Sequence, residues 1–232
     1  MNGIYSRTAM MLGDEGVRRL MNARVCVFGV GGVGGYAVEA LARAGVGQID
    51  LVDSDRVSES NINRQIIATY DTVGEFKTLA AKARILSINP SATVRTHEVF
   101  FSKENKDTFC FREYDYVIDA IDSLSSKVEL IASAHDAGVP IISAMGAGNK
   151  LDPTGFMVSD ISKTEVCPLA RAVRIALRKR GINHLKVVYS KEKPVERKES
   201  AESGNPPGSV SFVPSVMGLI IAGEVIKDIS GV

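Results

Sequence analysis

Cysteine is scarce in this sequence, and tryptophan is missing altogether. The 232 residues include three cysteines, Cys26, Cys110 and Cys167, and none belongs to a C-x-x-C pair. Such a set does not build a disulfide framework, and structural zinc sites usually draw on closely spaced cysteine or histidine pairs. We therefore expect neither structural disulfides nor structural zinc, and we expect the reducing environment of the cytoplasm. We interpret Cys26 and Cys110 as packing residues.

A strong excess of charge and a long apolar run are also lacking. The formal net charge is +1, so the chain as a whole has no strong attraction to nucleic acid or to a membrane surface. Its first residues lack the apolar core of a signal peptide. The longest late apolar run, 213–226, contains Pro214 and Glu224 and is shorter than the roughly 20 residues of a membrane-spanning helix. We expect a core helix there and no membrane span.

Residues 24–53 have the order of a nucleotide-binding unit. A short apolar run at 24–30 predicts a buried strand, small apolar residues at 34–44 predict a helix, and 49–52 predicts a second strand. Between the first strand and the helix, the sequence GVGGVG matches the G-x-G-x-x-G spacing. The glycines of this motif are Gly29, Gly31, Gly32 and Gly34.

These features together predict where a nucleotide binds. Glycines let the backbone turn sharply and approach a phosphate group, and the N-terminus of the next helix presents free N–H groups and a positive dipole end to it. Asp53 comes at the end of the second strand, where a carboxylate can hold ribose hydroxyls. We therefore predict a nucleotide site formed by the glycine motif and Asp53.

Residues 56–90 differ from an ordinary dinucleotide domain. A polar loop carries Asn61 and Arg64, and Lys77 opens a predicted helix at 77–87. Arg and Lys side chains on segments that fold back over a nucleotide suit a triphosphate, whose growing charge must be stabilised in the transition state. The alternative, that both cations are ordinary surface residues, stays open on spacing alone.

Two carboxylates follow a clear strand predicted at 114–120. Asp119 and Asp122 lie at and just beyond its carboxyl end, the edge where open α/β sheets bind ligands. A carboxylate facing phosphates is a common way to hold Mg²⁺. We predict that Asp122 holds the metal, while one of the two residues could instead cap the next helix, predicted at 125–137.

The alternation of strands and helices predicts the fold. We expect one domain, a Rossmann-like, mostly parallel α/β sheet with helices on both faces, extended by a less regular second half. Outside the segments already named, we predict strands at 93–101, 139–144, 156–161, 185–189 and 210–213, helices at 5–22, 169–180 and 215–229, and a polar loop at 190–208.

One cysteine and one basic helix in the second half invite functional interpretations. Cys167 precedes a proline at a predicted helix N-terminus, which favours a reactive thiolate, but a structural cysteine explains the same position. The helix carries Arg171, Arg174 and Arg178 on one face, a spacing that can follow a phosphate backbone. Other basic residues lie close in the sequence: Lys179, Arg180, Lys186, Lys191 and Lys193. A solvated charged face is the alternative reading of the whole set.

Several of these segments together resemble one family. GVGGVGG, LVDSDRVSESNINRQ, TVGEFK, INP and VIDAIDS are similar to the ubiquitin-activating-enzyme-like ThiF/MoeB/HesA family of adenylating enzymes. The resemblance implies that a carboxylate attacks ATP to give an acyl-adenylate and pyrophosphate. It also implies contacts: Gly31 and Gly32 near the ATP phosphates, Asp53 at the ribose, Asn61, Arg64 and Lys77 at the phosphates, and Asp122 at Mg²⁺.

The same resemblance implies partners. Arg7, in IYSRTAM, matches the arginine that family members lend to the ATP of a partner subunit, which implies a homodimer. The second half, including KVVYSKE and GSVSFVPSVMGLIIAGEVIKD, resembles the branch of the family that uses ATP to cyclise threonylcarbamoyladenosine in tRNA. This implies a single adenylating domain over 1–232, in which 1–150 bind the nucleotide and 151–232 serve the tRNA substrate and the dimer.

Two other activities fit parts of the pattern. The first is adenylation of the C-terminal carboxylate of a ubiquitin-like or sulfur-carrier protein, which would involve Cys167 as a thioester. Family members of that kind often bind zinc through two C-x-x-C pairs, which this sequence lacks, although a sulfur-relay protein could still dock. The second is an NAD-dependent oxidoreductase or a regulatory NAD-binding module, in which Arg64 and Lys77 would be inert.

Overall fold

A single sheet organises the part of the chain that the computed structural model describes, residues 3–196 and 207–232. Its strands are β1 (Arg24–Phe28), β2 (Gln48–Val52), β3 (Thr93–His97), β4 (Tyr116–Asp119), β5 (Ile141–Ala144), β6 (Phe156–Asp160) and β7 (Lys186–Ser190). The α-helices of these ranges are α1 (Ser6–Asn22), α2 (Gly34–Ala44), α3 (Lys77–Ile88), α4 (Leu124–Ala137), α5 (Pro168–Arg178) and α6 (Phe212–Ser230). The strand order is β3-β2-β1-β4-β5-β7-β6.

The strand pairing is mostly parallel. β1 lies between β2 and β4, with Val25 opposite Ile49 on one side and Tyr116 on the other. Only β6 runs antiparallel to its neighbour, β7. Because parallel strands point the same way, the carboxyl ends of β1, β2, β4 and β5 share one edge of the sheet. The predicted mostly parallel α/β sheet is confirmed.

Both faces of the sheet are covered. Along β1 the side chains alternate: Val25 and Val27 pack in the cluster that contains the apolar residues of α2 and α6. Cys26 and Phe28 pack on the other face, against aromatic residues and α4. Since successive side chains of a strand point to opposite faces, this continuous apolar run identifies a strand buried on both sides.

The C-terminal helix begins earlier than the sequence suggested. A strand at 210–213 is wrong, because Phe212 already starts α6. Val213 is fully buried in the core. Pro214 stands in the first turn, where its missing N–H would have had no partner inside the helix. The short apolar run is therefore helical.

The N-terminal helix leaves much of its apolar surface exposed. α1 is interrupted at Gly13, where φ is 73°. Beyond this break Val17 and Leu20 are fully buried, whereas Met10 and Met11 are 82% and 79% exposed. None of the helices within residues 3–196 and 207–232 has the length and apolar character of a membrane span. Most of the loop predicted at 190–208 lies outside the described residues.

Candidate functional site

A cavity of about 490 Å³ opens at the shared carboxyl edge of the sheet, beside the ends of β1, β2 and β4. Most of the site residues predicted from the sequence line it. They are Gly29, Gly31, Gly32, Asp53, Asn61, Arg64, Lys77 and Asp122. The remaining two, Arg7 and Gly34, do not. Residues from four separate stretches of sequence therefore meet at the place where open α/β sheets bind ligands.

The glycine motif serves two different purposes. A Cβ at Gly34 would lie 1.8 Å from the carbonyl oxygen of Gly29, so this position lets α2 pack tightly on the turn. Gly29 has φ +88°, and a Cβ there would meet the carbonyl oxygen of Ala120 at 2.5 Å. At Gly31, by contrast, the nearest atom is 3.8 Å away, on the side chain of Gln65. Gly31 leaves free space on the cavity side.

Asp53 is tied to the glycine turn. Its Oδ2 accepts a hydrogen bond of 2.7 Å from the backbone N–H of Val30, and its Oδ1 accepts one of 2.8 Å from Asp55. Burial raises the pKa of the Asp53 carboxyl, and the nearby Lys77 opposes this shift. The carboxylate is held in one orientation at the cavity wall.

Two cations and a buried amide come from the segment after β2. Lys77 Nζ lies 2.7 Å from Asp55 Oδ2, and the Lys77 side chain is only 8% exposed. Arg64 Nη1 donates to the backbone oxygen of Ser60 at 2.8 Å. Asn61 Oδ1 accepts from the backbone N–H of Ser58 at 3.2 Å. These bonds hold the side chains against the cavity.

The charges around the cavity do not favour an anion by themselves. Among the described residues that line it, Arg64 and Lys77 are the two cations, and Asp53, Asp55 and Asp122 are the three carboxylates. Lys77 is already paired with Asp55. A highly charged anion such as a triphosphate would thus need further positive charge from outside this lining.

The two carboxylates at and beyond the end of β4 have different surroundings. Asp119 is fully buried and bonds to Lys127, Ser143 and the backbone N–H of Ile121. Asp122 is exposed and lines the cavity. Neither caps α4, because its N-cap residue is Ser123 and no side-chain hydrogen bond caps that end.

Arg7 lies far from the cavity of its own chain. It is exposed in the first turn of α1. Just before it, the ring of Tyr5 packs where a Cβ on Gly45 would lie, 2.9 Å away. Gly45 precedes β2, whereas the cavity is at the other end of that strand, roughly 15 Å further along. Arg7 and the cavity are thus near opposite edges of the sheet.

Sequence reasoning missed several lining residues. Gln65 is 6% exposed, and its Oε1 has no hydrogen-bond partner among the described residues. It stands directly after Arg64 in the polar loop, which was the available signal. Val99 and Phe100 reach the cavity from the chain beyond β3, where 93–101 had been predicted as a strand but β3 ends at His97. No pattern in the sequence indicated that Val99 and Phe100 would line the cavity.

The cysteines lie outside the cavity. Cys167 is 5% exposed and packs with Met145 and Ile161 in an apolar cluster. Cys26 is fully buried, and burial raises the pKa of its thiol. Our interpretation of Cys110 as a packing residue is wrong, because its side chain is exposed. Cys110 directly precedes a short 3-10 turn, Phe111–Glu113, and the side chain of Phe111 enters the core instead.

Several basic residues of the second half make hydrogen bonds or ion pairs within the fold. Arg174 donates to the backbone oxygen of Thr164 at 2.9 Å. Arg180 pairs with Glu129, Lys186 with Asp228, and Lys191 with Glu165. Among the described residues, no ion pair engages Arg171, Arg178, Lys179 or Lys193. The surface available to a phosphate backbone is therefore narrower than the spacing suggested.

Comparison with known proteins points to one group. The model of the ThiF family matches residues 5–232. The tRNA threonylcarbamoyladenosine dehydratase of Bacillus subtilis is 45% identical over 238 residues, covering 97% of this chain and 94% of that protein. The protein of the same name from Escherichia coli is 41% identical over 174 residues, covering 75% of this chain and 65% of that protein.

A solved structure agrees with the sequence relatives. It is the E. coli tRNA N6-threonylcarbamoyladenosine dehydratase, TcdA, in complex with ATP. The two structures superpose with a TM-score of 0.89 at 34% sequence identity, over 98% of this chain and 93% of that chain.

Proposed function

The chain belongs to the ThiF family, and from this premise we propose that it is an ATP-dependent enzyme that dehydrates threonylcarbamoyladenosine in tRNA through an acyl-adenylate. The observation that carries the proposal is the meeting of the glycine turn, Arg64, Lys77 and Asp122 around one cavity. Relatives that match nearly the whole chain are named for this reaction, and one is solved with ATP.

The cavity fits ATP as the co-substrate. Gly31 leaves room for a phosphate, because the nearest atom to a Cβ there is 3.8 Å away. Gly32 lies beside it, and α2 begins at Gly34, so the N-terminus of that helix is close to the same space. Asp53 directly follows β2, where its carboxylate would bind the ribose hydroxyls. In our proposal Gly29 and Gly34 act on the site indirectly, by allowing the turn itself.

Magnesium would be held by Asp122. This carboxylate is exposed at the cavity, whereas its neighbour Asp119 is buried and fully engaged. A single carboxylate suffices, because Mg²⁺ usually keeps several waters and takes the rest of its ligands from substrate phosphates. When bound, the metal supplies positive charge that stabilises the departing pyrophosphate.

Arg7 of a second copy would complete the site. Within residues 3–196 and 207–232, the cavity lining holds two cations against three carboxylates, so a triphosphate needs positive charge in addition to Arg64 and Lys77. Arg7 cannot supply it within its own chain. The exposed Met10 and Met11 beside it suit an interface with another protomer. We therefore propose a homodimer in which each protomer lends Arg7 to the other.

The reaction follows from these groups. The threonyl carboxylate attacks the α-phosphorus of ATP, the bond to the β-phosphate oxygen breaks, and pyrophosphate leaves. Arg64, Lys77 and Asn61 hold the phosphates, and the two cations offset the charge of the leaving group. The neighbouring carbamoyl group then attacks the activated carbonyl carbon and loses a proton, and AMP departs with the former carboxylate oxygen. The nucleoside has lost one water.

No enzyme nucleophile is required for ring closure. The attacking group is tethered to the same nucleoside, and intramolecular reactions of this kind gain large effective molarities. This agrees with the burial of Cys167 away from the cavity. A sulfur-carrier or ubiquitin-like protein as the acceptor remains the second candidate, with a sulfur-relay protein as partner.

The two halves of the chain divide the work in this proposal. Residues 1–150 form most of the nucleotide site, and 151–232 serve the tRNA and the dimer. We propose that they are parts of one domain, and the pairing of β7 with β5 in the same sheet supports this. Arg171 and Arg178, exposed on α5, are the first candidates for tRNA phosphate contacts. A tRNA-modifying enzyme of this kind would work in the cytoplasm.

The direct test is mass spectrometry of tRNA nucleosides. tRNA carrying threonylcarbamoyladenosine is incubated with the protein, ATP and magnesium. We expect the modified nucleoside to lose one water while one pyrophosphate appears per nucleoside converted. An unchanged mass, together with pyrophosphate formation that needs a sulfur-carrier protein instead of tRNA, would favour the second candidate. Tight NAD binding without ATP cleavage would exclude both.

A further inference from the structure

A buried ion pair lies next to the cavity, among residues that do not line it. Lys127 Nζ is 2.8 Å from Asp119 Oδ2, and both side chains are 0% exposed. Lys127 is the fourth residue of α4, and Asp119 is the last residue of β4. Removing charges from water costs free energy, so a fully buried pair must be stabilised by further hydrogen bonds or be retained for a function.

Each hydrogen-bonding group of the pair is used. The Lys127 ammonium also donates to Ser143 Oγ at 3.3 Å and to the backbone oxygen of Ala144 at 2.9 Å. The hydroxyl of Ser143 in turn donates to Asp119 Oδ2. An ammonium group has three protons, and here all three find acceptors. The network thus joins α4 to the carboxyl ends of β4 and β5, two of the strands that end at the ligand-binding edge.

The second oxygen of Asp119 fixes the loop that carries Asp122. Asp119 Oδ1 accepts a hydrogen bond of 3.1 Å from the backbone N–H of Ile121, the residue just before Asp122. The same loop packs directly on the glycine turn, since a Cβ on Gly29 would lie 2.5 Å from the carbonyl oxygen of Ala120. A shift of this loop would move Asp122 relative to the turn.

Stability alone does not explain such an arrangement. A buried ion pair can often be replaced by apolar residues of similar volume without loss of stability. Apolar residues, however, cannot accept the N–H of Ile121 or donate to the carbonyl of Ala144. We propose that Lys127 and Asp119 are positioning residues that hold Asp122 at the correct distance from the glycine turn for a metal–ATP complex. This inference rests on the proposed function.

The test separates positioning from folding with a double variant. Lys127→Met alone leaves a buried, unpaired carboxylate and should lower Tm strongly. Lys127→Met combined with Asp119→Leu removes both charges and should restore much of that loss. ATP binding is then measured by calorimetry with and without Mg²⁺, in the absence of tRNA. We expect Mg²⁺-free binding close to wild type and a Mg²⁺ enhancement reduced by about 10- to 100-fold, the usual range for groups that orient a metal ligand.

A matched control comes from another ion pair. Lys186 and Asp228 lie 2.6 Å apart, partly exposed and away from the cavity lining. The double variant Lys186→Met/Asp228→Leu should keep the wild-type Mg²⁺ enhancement. If the Lys127/Asp119 double variant does not fold, Ser143→Ala replaces it. This variant keeps the ion pair and should weaken the Mg²⁺ enhancement by a smaller factor, about threefold.

The outcomes are distinguishable. A folded double variant, or a folded Ser143→Ala protein, with the full wild-type Mg²⁺ enhancement overturns the positioning role. If the wild-type protein itself binds ATP no better with Mg²⁺, the proposed metal role of Asp122 fails first, and the inference fails with it. Loss of Mg²⁺-free ATP binding in a folded double variant also counts against it, because the effect would then be general disruption of the pocket.

Discussion

The backbone N–H of Val30 donates a 2.7 Å hydrogen bond to Asp53 Oδ2, and this bond ties the glycine turn to the end of the neighbouring strand. Asp53, which we assign to the ribose, therefore also holds the glycine turn in place. Because burial raises its pKa, the ionised form is disfavoured in the folded protein. The ionised form of Asp53 therefore costs stability, which is expected of a group kept for binding.

The first prediction concerns Asp53→Asn. A carboxyl group whose pKa is raised on folding makes the protein less stable as pH rises through its ordinary range and then through the raised value. Asparagine does not ionise but has one acceptor oxygen, so the variant loses one of the two backbone hydrogen bonds at every pH. The Tm of the variant minus that of wild type should therefore rise between about pH 4 and pH 7. ATP should bind about tenfold more weakly. Thermal melts across pH and calorimetry with ATP measure both effects.

The outcome at acidic pH makes this prediction specific. A Tm difference that does not change between pH 7 and pH 4 would mean that the charge of Asp53 is not what the substitution removes. Asp71→Asn is a suitable control, because Asp71 is exposed and does not line the cavity. It should leave both Tm and ATP affinity unchanged.

The second prediction separates two glycines of one motif. A Cβ at Gly34 would lie 1.8 Å from the backbone oxygen of Gly29, so Gly34→Ala should destabilise the protein by at least about 2 kcal/mol. At Gly31 the nearest atom is 3.8 Å away, so Gly31→Ala should fold normally. Its methyl group would occupy the space that we assign to phosphate, and ATP affinity should fall at least about tenfold. Equal Tm losses in the two variants would contradict this division.

The nucleotide half of the fold was accessible from the sequence because its signals are local. The glycine spacing, the apolar runs and Asp53 all follow one another along the chain, and α2 has the predicted bounds, Gly34–Ala44. The failures come from contacts distant in sequence. The spacing of Arg174 on its helix predicts a side chain available to phosphate, but it does not reveal that the backbone oxygen of Thr164 accepts a hydrogen bond from it.

Three further misses have related physical origins. The run at 210–213 has the composition of a strand, and four residues are too few to show the periodicity that separates a helix from a strand. Phe100 follows a short strand in an irregular segment, so nothing in its neighbours indicates that it faces the cavity. Gln65 was adjacent to a predicted site residue, but whether it faces the cavity depends on the three-dimensional course of the loop.

The third prediction tests whether a thioester is involved. Cys167 is buried among apolar side chains and does not line the cavity. Cys167→Ala should therefore keep the conversion of threonylcarbamoyladenosine to its dehydrated form within about twofold of wild type, because ring closure by the tethered carbamoyl group needs no thiol. The free energy of unfolding should fall by about 1 kcal/mol, because a small cavity replaces the sulfur. A loss of activity of about 100-fold with an intact fold would favour the sulfur-carrier alternative.

The fourth prediction concerns the exposed basic residues of α5. Changing Arg171 and Arg178 to glutamine should raise KM for tRNA several-fold and leave kcat unchanged, because these residues would contact phosphate only. The dependence of log affinity on log salt should become shallower by about one unit for each contact removed. Arg112→Gln, at an exposed position before β4, is the control. An unchanged salt dependence in the double variant would place the tRNA elsewhere.

The last prediction tests the exchange of Arg7 between protomers. Arg7→Ala leaves a pocket without its borrowed arginine, and Lys77→Ala destroys the pocket but keeps an arginine to lend; each variant alone should be at least about 100-fold less active. In a co-expressed mixture, about half of the dimers are mixed and each has one complete site, so about one quarter of wild-type activity should return. Arg18→Ala, further along α1, and Lys82→Met, on α3 outside the cavity lining, are the matched controls and should remain active. If Arg7 acted within its own chain, every site in the mixture would lack one of the two cations, and no activity above that of the separate variants would appear.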